Sequence, residues 1–306
     1  MKIHVLGSAA GGGLPQWNCN CPNCDGVRRN SIQIRRRTQS SIAVSSDGVN
    51  WVLFNASPDI LSQLHDMRAS QPARSIRDTG IRAVVLIDAQ IDHTTGLLML
   101  RESKEPLRIY CTDPVNEDLT TGNPLFNVLS HYCKVDRTPV RFSQGKYEFN
   151  VPGVEGLRFT AYPLKSKAPP YSPHRNDSHV GDTIGVVIED VKSGKKLFYS
   201  PGLGEIENHL PPLLRESDCL MVDGTFWKDD EMISMGISTK KSREIGHLPQ
   251  SGAGGMIETL AQFKKPRKIL IHINNTNPIL NEASPERAEL TRSGIEVAFD
   301  GMEIEL

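Results

Sequence analysis

The chain has no apolar run approaching the ~20 residues of a membrane span. Its start, Met1-Lys-Ile-His-Val-Leu-Gly, meets a glycine-rich turn after only a few apolar residues and has no signal-peptide h-region, so a cytoplasmic protein is expected. Neither charge sign is in excess: 35 Lys and Arg stand against 36 Asp and Glu, a formal net charge of -1. That balance argues against a general nucleic-acid binder, which carries a basic excess. A disordered chain is excluded by 38% hydrophobic content with only 23% charged residues. Cysteine is too sparse for a disulfide scaffold, at six in 306 residues. The glycines of residues 7–13 do not form GxGxxG and no helix pattern follows them, so a nucleotide-binding turn is not indicated.

Three of the cysteines, Cys19, Cys21 and Cys24, fall within six residues, in Trp17-Asn-Cys-Asn-Cys-Pro-Asn-Cys. Three soft thiolates on a short polar loop can surround one Zn2+. A closed tetrahedral site needs a fourth ligand from elsewhere, usually a histidine. Cys111, Cys133 and Cys219 sit beside apolar residues and read as small core residues. The arginines at 28, 29 and 35–37 read as a solvated or salt-bridging face.

Apolar patterning predicts strands over 2–6, 41–44, 49–54, 83–87, 108–111, 157–164, 183–189, 196–199, 219–222 and 268–273. Asp47-Gly48 marks a hairpin between the second and third of these. Helices are expected from Ser57-Pro58 to about Met67, over 256–263, and from Ser284-Pro285 to Gly294, with a further helical pattern from Gly96. The segment 297–304 reads as a closing hairpin. Strands alternating with helices predict an α/β (α+β) fold with a mixed sheet covered by helices. No interdomain linker is visible, so one domain over 1–306 is expected. The proline-rich segment 165–182 reads as a long ordered loop, a frequent place for function.

Three buried strands deliver polar residues at their C-terminal ends, where ligands bind in open sheets. The strand over 83–87 leads into Asp88, Gln90, Asp92 and His93, that over 219–222 ends at Asp223, and that over 268–271 ends at His272. Two imidazoles and a carboxylate with open positions are what a non-haem Fe2+ site requires.

Asp88-Ala-Gln-Ile-Asp-His-Thr-Thr-Gly-Leu97 resembles the HxHxDHxxG segment of the metallo-β-lactamase superfamily, with Asp88 and Gln90 at the first two histidine positions. The cysteine cluster and the ending Phe299-Asp-Gly-Met-Glu-Ile are similar to its phosphonate-pathway phosphodiesterases. Gly7-Ser-Ala-Ala-Gly-Gly-Gly, Asn55-Ala-Ser-Pro-Asp-Ile, Pro169-Pro-Tyr-Ser-Pro-His-Arg and Ile271-His-Ile-Asn-Asn-Thr-Asn-Pro-Ile-Leu extend a likeness over essentially the whole chain to the family that acts in making pyrroloquinoline quinone (PQQ).

That resemblance implies an αβ/βα four-layer sandwich of two mixed sheets with helices outside. It implies His247 as the fourth ligand of a structural zinc clip, with His209 or His179 as alternatives. The replaced histidines, and a stretch over 198–204 with no carboxylate before Glu205, remove two first-metal histidines and the bridging carboxylate of a two-metal hydrolase. The implied centre is mononuclear: Asp92, His93 and His272 hold Fe2+, with Asp88 a fourth ligand or an orienter. His179 and Asp223 line the pocket and handle protons. Gln90, His174 and Arg175 meet the substrate, the last two through its carboxylates. The implied reaction is O2-dependent hydroxylation of the tyrosine ring of a Glu–Tyr intermediate derived from a precursor peptide. The alternative is a non-catalytic carrier for PQQ or its precursor, and a hydrolase ranks below both. The partner is thus a small molecule, with no nucleic acid and no membrane span, and a homo-oligomer stays open.

Overall fold

The computed structural model describes all 306 residues. They divide into two compact units whose segments interleave along the chain. Met1–Leu6, Ser41–Lys196 and Gly301–Leu306 form the first, and Gly7–Ser40 with Leu197–Asp300 the second. The strands make two mixed seven-stranded sheets. In chain order they are β1 (Lys2–Gly7), β2 (Ser41–Ser45), β3 (Trp51–Phe54), β4 (Ile81–Val85), β5 (Leu107–Thr112), β6 (Val135–Val140), β7 (Tyr147–Phe149), β8 (Leu157–Leu164), β9 (Thr183–Asp190), β10 (Lys196–Ser200), β11 (Cys219–Asp223), β12 (Arg267–Ile271), β13 (Ile295–Val297) and β14 (Glu303–Glu305).

In the first unit the order β14-β1-β2-β3-β4-β5-β6 opens antiparallel at β14-β1 and at β2-β3, then runs parallel from β3 to β6. The β2-β3 hairpin turns at the predicted Asp47-Gly48, where Gly48 has φ 77°. The Asp47 carboxylate accepts the backbone N–H groups of Val49 and Asn50, both at 2.8 Å. β4 is buried over 83–85, where both faces of a parallel strand are covered, which is why the sequence there is continuously apolar. Its core neighbours include Leu53, Ile60, Leu97 and Ile109, with Cys111 and Cys133 in the same cluster as expected. β7, β8 and β9 are antiparallel.

The second unit holds β10-β11-β12-β13, all parallel. β11 is fully buried, Cys219 included, and ends at the buried Asp223. A helix at Pro285–Arg292 returns the chain to β13. Its N-terminus is capped by the Ser284 hydroxyl, which accepts from the Arg287 N–H at 3.0 Å.

Two predicted elements differ. The segment 297–304 is not a hairpin: β13 pairs parallel with β12, and β14 pairs antiparallel with β1. The turn at Gly301 separates strands of different sheets, which a local pattern does not distinguish from a hairpin. The helix expected at Ser57-Pro58 begins at Ile60. Ser57 uses its hydroxyl one step earlier, accepting from the Asp59 N–H at 3.2 Å and donating to Gln63 Oε1 at 3.0 Å. The segment between β8 and β9 carries no helix or strand, as the prolines imply. No helix is long and apolar enough to cross a membrane.

Candidate functional site

In the first unit β4 runs through Leu86 and Ile87 into the buried Asp88. The Asp88 Oδ1 atom accepts the Gln90 N–H at 2.9 Å and lies 2.7 Å from His93 Nδ1. Gln90 caps the short helix Ile91–Thr94 through its carbonyl, which accepts the His93 N–H at 2.9 Å. His93 is thereby buried with one ring nitrogen on a carboxylate, while its Nε2 faces Asp92 Oδ2 at 3.8 Å. Burial pulls the imidazole pKa down, but the negative charges of Asp88 and Asp92 outweigh it and lift it to about 9. A carboxylate on one histidine nitrogen, leaving the other for a cation, is the usual support of a metal-ligating imidazole. Of the two roles open to Asp88, the geometry matches the orienter.

The segment between β8 and β9 brings other predicted residues together. His174 is buried, its Nε2 lies 2.9 Å from Asp182 Oδ1, and its ring stacks on His179 at 4.2 Å between centroids. The other Asp182 oxygen accepts the His179 N–H at 2.8 Å. Glu117 lies 3.5 Å and Asp118 4.0 Å from His174 Nδ1. These carboxylates surround His174 with negative charge, so pairing with a substrate carboxylate does not suit it. Arg175 donates Nη1 to the Ala168 carbonyl and is half-buried.

In the second unit Asp223, Thr225, His247 and His272 converge. Asp223 Oδ2 lies 2.7 Å from His247 Nδ1 and accepts the Leu203 N–H at 2.9 Å. The other oxygen, Oδ1, accepts the Thr225 N–H at 2.9 Å and its hydroxyl at 2.6 Å. The same hydroxyl is 2.9 Å from His272 Nδ1, and the His247 and His272 rings stack at 5.4 Å. Burial raises the Asp223 pKa, but His247, His272 and these donors more than offset it and hold the carboxyl below its ordinary range. His272 has φ 61°, a left-handed backbone costly for a side chain of this size and the kind of strain that gathers at functional sites.

Cys19, Cys21 and Cys24 also lie in the second unit, with their Sγ atoms mutually within 4.8 Å. His247 does not join them in the structure: its ring nitrogens group with Asp223 and His272. The exposed His209 sits at the start of the helix Leu210–Glu216, and His179 is stacked on His174. The side chain that meets all three sulfurs is Asn275, whose Nδ2 lies 3.0, 3.5 and 3.3 Å from the Sγ atoms of Cys19, Cys21 and Cys24. Burial, only partly offset by hydrogen bonding and reinforced by the neighbouring thiols, pushes Cys21 up to about 12. Three thiolates whose sulfurs lie within 4.8 Å of one another would repel without a cation between them, so the donor set fits a divalent metal with soft ligands. Arg28 fixes the loop by donating to the Cys19 and Gln16 carbonyls, both at 2.5 Å. Sequence reasoning passed over Thr225, Asp182, Asn275 and this role of Arg28. The polar run after Ile271 was the available signal for Asn275.

Comparison with known proteins places this geometry. Residues 50–273 match the model of the β-lactamase superfamily domain. Coenzyme PQQ synthesis protein B of Methylobacillus flagellatus is 66% identical over 304 residues, covering 99% of each chain. The chain belongs to the coenzyme PQQ synthesis protein B family. The family member of Nitrosococcus oceani is 62% identical, again over 99% of both chains. A crystal structure of Zn(2+)-bound PqqB from Methylobacterium extorquens superposes with a TM-score of 0.89 at 37% identity, covering 100% of both chains. The metallo-β-lactamase fold expected from Asp88–Leu97 is therefore the fold of this coenzyme PQQ synthesis protein B family member, with its two mixed sheets.

Proposed function

We propose that this chain acts in PQQ biosynthesis as an iron- and O2-dependent hydroxylase of the tyrosine ring in a Glu–Tyr intermediate. Family membership supports the pathway. The observation that carries the chemistry is the buried His93, with Nδ1 on Asp88 at 2.7 Å and Nε2 turned towards Asp92. Asp88 stands where the superfamily's hydrolases place a metal-binding histidine, and its carboxylate is occupied in orienting His93. Gln90 replaces the second such histidine, and neither replacement restores an imidazole-rich first-metal site. That favours one metal over two.

In this reading Asp92, His93 and His272 are the donors to Fe2+, a set of two imidazoles and a carboxylate that leaves coordination positions open. Bound iron would supply the redox chemistry for O2-dependent hydroxylation of an aromatic C–H, with two electrons and two protons from an added reductant and solvent carrying the second oxygen atom to water. The protein's own groups do the rest. Asp88 fixes the His93 tautomer, and Thr225 bridges Asp223 to His272. Asp223 acts on protons through His247, and the half-exposed His179 exchanges them with solvent. Arg175 keeps N–H groups for a substrate carboxylate beyond the one it gives Ala168, and the half-buried Gln90 offers an amide. Cys19, Cys21 and Cys24 hold a separate structural zinc.

The test is metal analysis of anaerobically purified protein, with O2 uptake measured on a Glu–Tyr substrate in the presence of a reductant. Wild type should hold iron and zinc and consume O2. His93→Ala should lose iron and keep zinc, and Cys21→Ala the reverse. Fully metallated protein that binds the substrate without turnover would replace the enzyme with a carrier. Loss of the same single metal in both variants would end the two-centre reading.

A further inference from the structure

The three sulfurs of Cys19, Cys21 and Cys24 form a triangle, and one side chain faces all of it. Asn275 is buried, and the end of its amide lies 3.0–3.5 Å from every Sγ. Its backbone is clamped in that place. Asn23 Nδ2 donates to the Asn275 carbonyl at 2.9 Å and to the Asn277 carbonyl at 2.8 Å. The Cys21 thiol also points at the Asn275 carbonyl, at 3.5 Å. The sulfurs are prepared as acceptors: the Gln16 N–H points at Cys24 Sγ and the Cys21 N–H at Cys19 Sγ, both at 3.4 Å.

We propose that Asn275 is the fourth ligand of the cysteine clip, through its side-chain oxygen, making a Cys3Asn zinc site in place of the Cys3His site first expected. The argument is one of position and chemistry. A closed tetrahedral centre needs one more donor on the open side of the sulfur triangle. The two ends of an Asn amide exchange by a half-turn about its last torsion, so the end that faces three thiols as N–H₂ presents Oδ1 to a cation held by three thiolates. The candidate histidine, His247, groups with Asp223 and His272 and not with the three sulfurs. The carboxamide is neutral, so the centre carries the three thiolate charges against one divalent cation, like a Cys3His site. It also joins the clip to the proposed iron ligand His272, three residues upstream on the same segment. That segment is further pinned by the Asn274 N–H, which donates to the Thr225 carbonyl at 3.1 Å.

The inference rests on the reading that the three cysteines hold zinc, and the test separates the two. Purified full-length protein is titrated with a chromophoric chelator for zinc affinity. After zinc is replaced by Co2+, the sulfur-to-cobalt and ligand-field bands are recorded. Wild type should hold one clip zinc, and absence of zinc there would overturn both readings. Asn275→Ala should weaken zinc about tenfold or more and shift the ligand-field band. His247→Ala should leave clip affinity and spectrum unchanged. Should Asn275→Ala fail to fold, Asn275→His decides. It should keep zinc while moving the cobalt band, because an imidazole nitrogen has replaced an amide oxygen. Cobalt bands unchanged in both Asn275 variants would show an amide that merely donates N–H to sulfur, and would overturn the proposal. Loss of clip zinc in His247→Ala would do the same.

Discussion

Asp223 Oδ2 lies 2.7 Å from His247 Nδ1, and both groups belong to a polar cluster that also holds Thr225 and His272. His247 groups with this cluster and not with the cysteines, and the pairing gives it a carboxylate to orient it. Asp223 has no exposed surface and accepts bonds from two backbone N–H groups and one hydroxyl besides. Removing its charge should be expensive. Asp223→Asn is expected to lose about 3 kcal/mol at pH 7, the scale for breaking a buried charge network. The sign with pH follows from the depressed pKa. The stabilisation is present above the unfolded carboxylate's pKa and is lost as pH falls through the lower folded value. Urea unfolding should therefore show the gap between wild type and Asp223→Asn closing on acidification. A gap independent of pH would mean that the carboxylate charge is not what stabilises.

Much of the fold was readable because burial leaves a period in the sequence. The apolar runs at 83–87 and 219–222 became β4 and β11, and the residues just past them are the polar groups that matter. The pairing of Asp88 with His93 was legible because it is local, five residues apart. The closing segment was misread because pairing partners far apart in sequence decide between a hairpin and two separate strands. The contact of Asn275 with all three cysteines was not legible for a related reason. Asn275 lies 251 residues from Cys24, and an asparagine carries no ligand signal of its own. A histidine draws attention by its type, while only folding shows that Asp223 holds His247 elsewhere.

Glu231 supplies a second pH dependence, opposite in sign. It is buried, accepting the Trp227 N–H at 2.6 Å and the Thr276 hydroxyl at 2.5 Å. Burial raises its pKa, only partly offset by these donors, to about 7 from the ordinary 4.5. Between those values the folded state holds a proton that the unfolded state has lost, so stability falls as pH rises through the window. The loss by pH 8 is about 3 kcal/mol. Glu231→Gln keeps an acceptor for Trp227 and cannot ionise. It should match wild type near pH 4.5 and exceed it at pH 8. Chemical denaturation at the two pH values checks this, and parallel pH curves for the two proteins would refute it.

Asp88 should matter to metal binding more than to folding. Its Oδ1 fixes the His93 ring at Nδ1 and leaves the proposed ligand nitrogen presented. Carboxylates of this kind typically change metal affinity by about 10–100-fold when removed. Asp88→Ala is therefore expected to weaken iron binding by about that factor while leaving the cysteine-bound zinc in place, as read by anaerobic iron titration and zinc analysis. Equal losses of both metals would point to general unfolding instead.

Gly96 closes the Asp92–His93 turn for reasons of space. Its N–H donates to the Ala56 carbonyl at 2.9 Å, and the Ala56 N–H donates to the His93 carbonyl at 2.7 Å, so two backbone segments lie against each other. A Cβ on Gly96 would sit 2.0 Å from the Ser57 carbonyl oxygen and 2.7 Å from that of Ala56. Neither obstacle is a flexible side chain, so the backbone itself must move, and overpacking of this kind costs about 1–3 kcal/mol or more. Gly202 offers the control, because an added Cβ there meets only His247 Cε1, at 4.0 Å. Gly96→Ala should unfold at markedly lower urea than wild type and lose iron affinity, since the displaced segment carries His93. Gly202→Ala should stay within about 0.5 kcal/mol of wild type. If the two alanine variants proved equally stable, close backbone approach would not be the reason for glycine at the end of this motif.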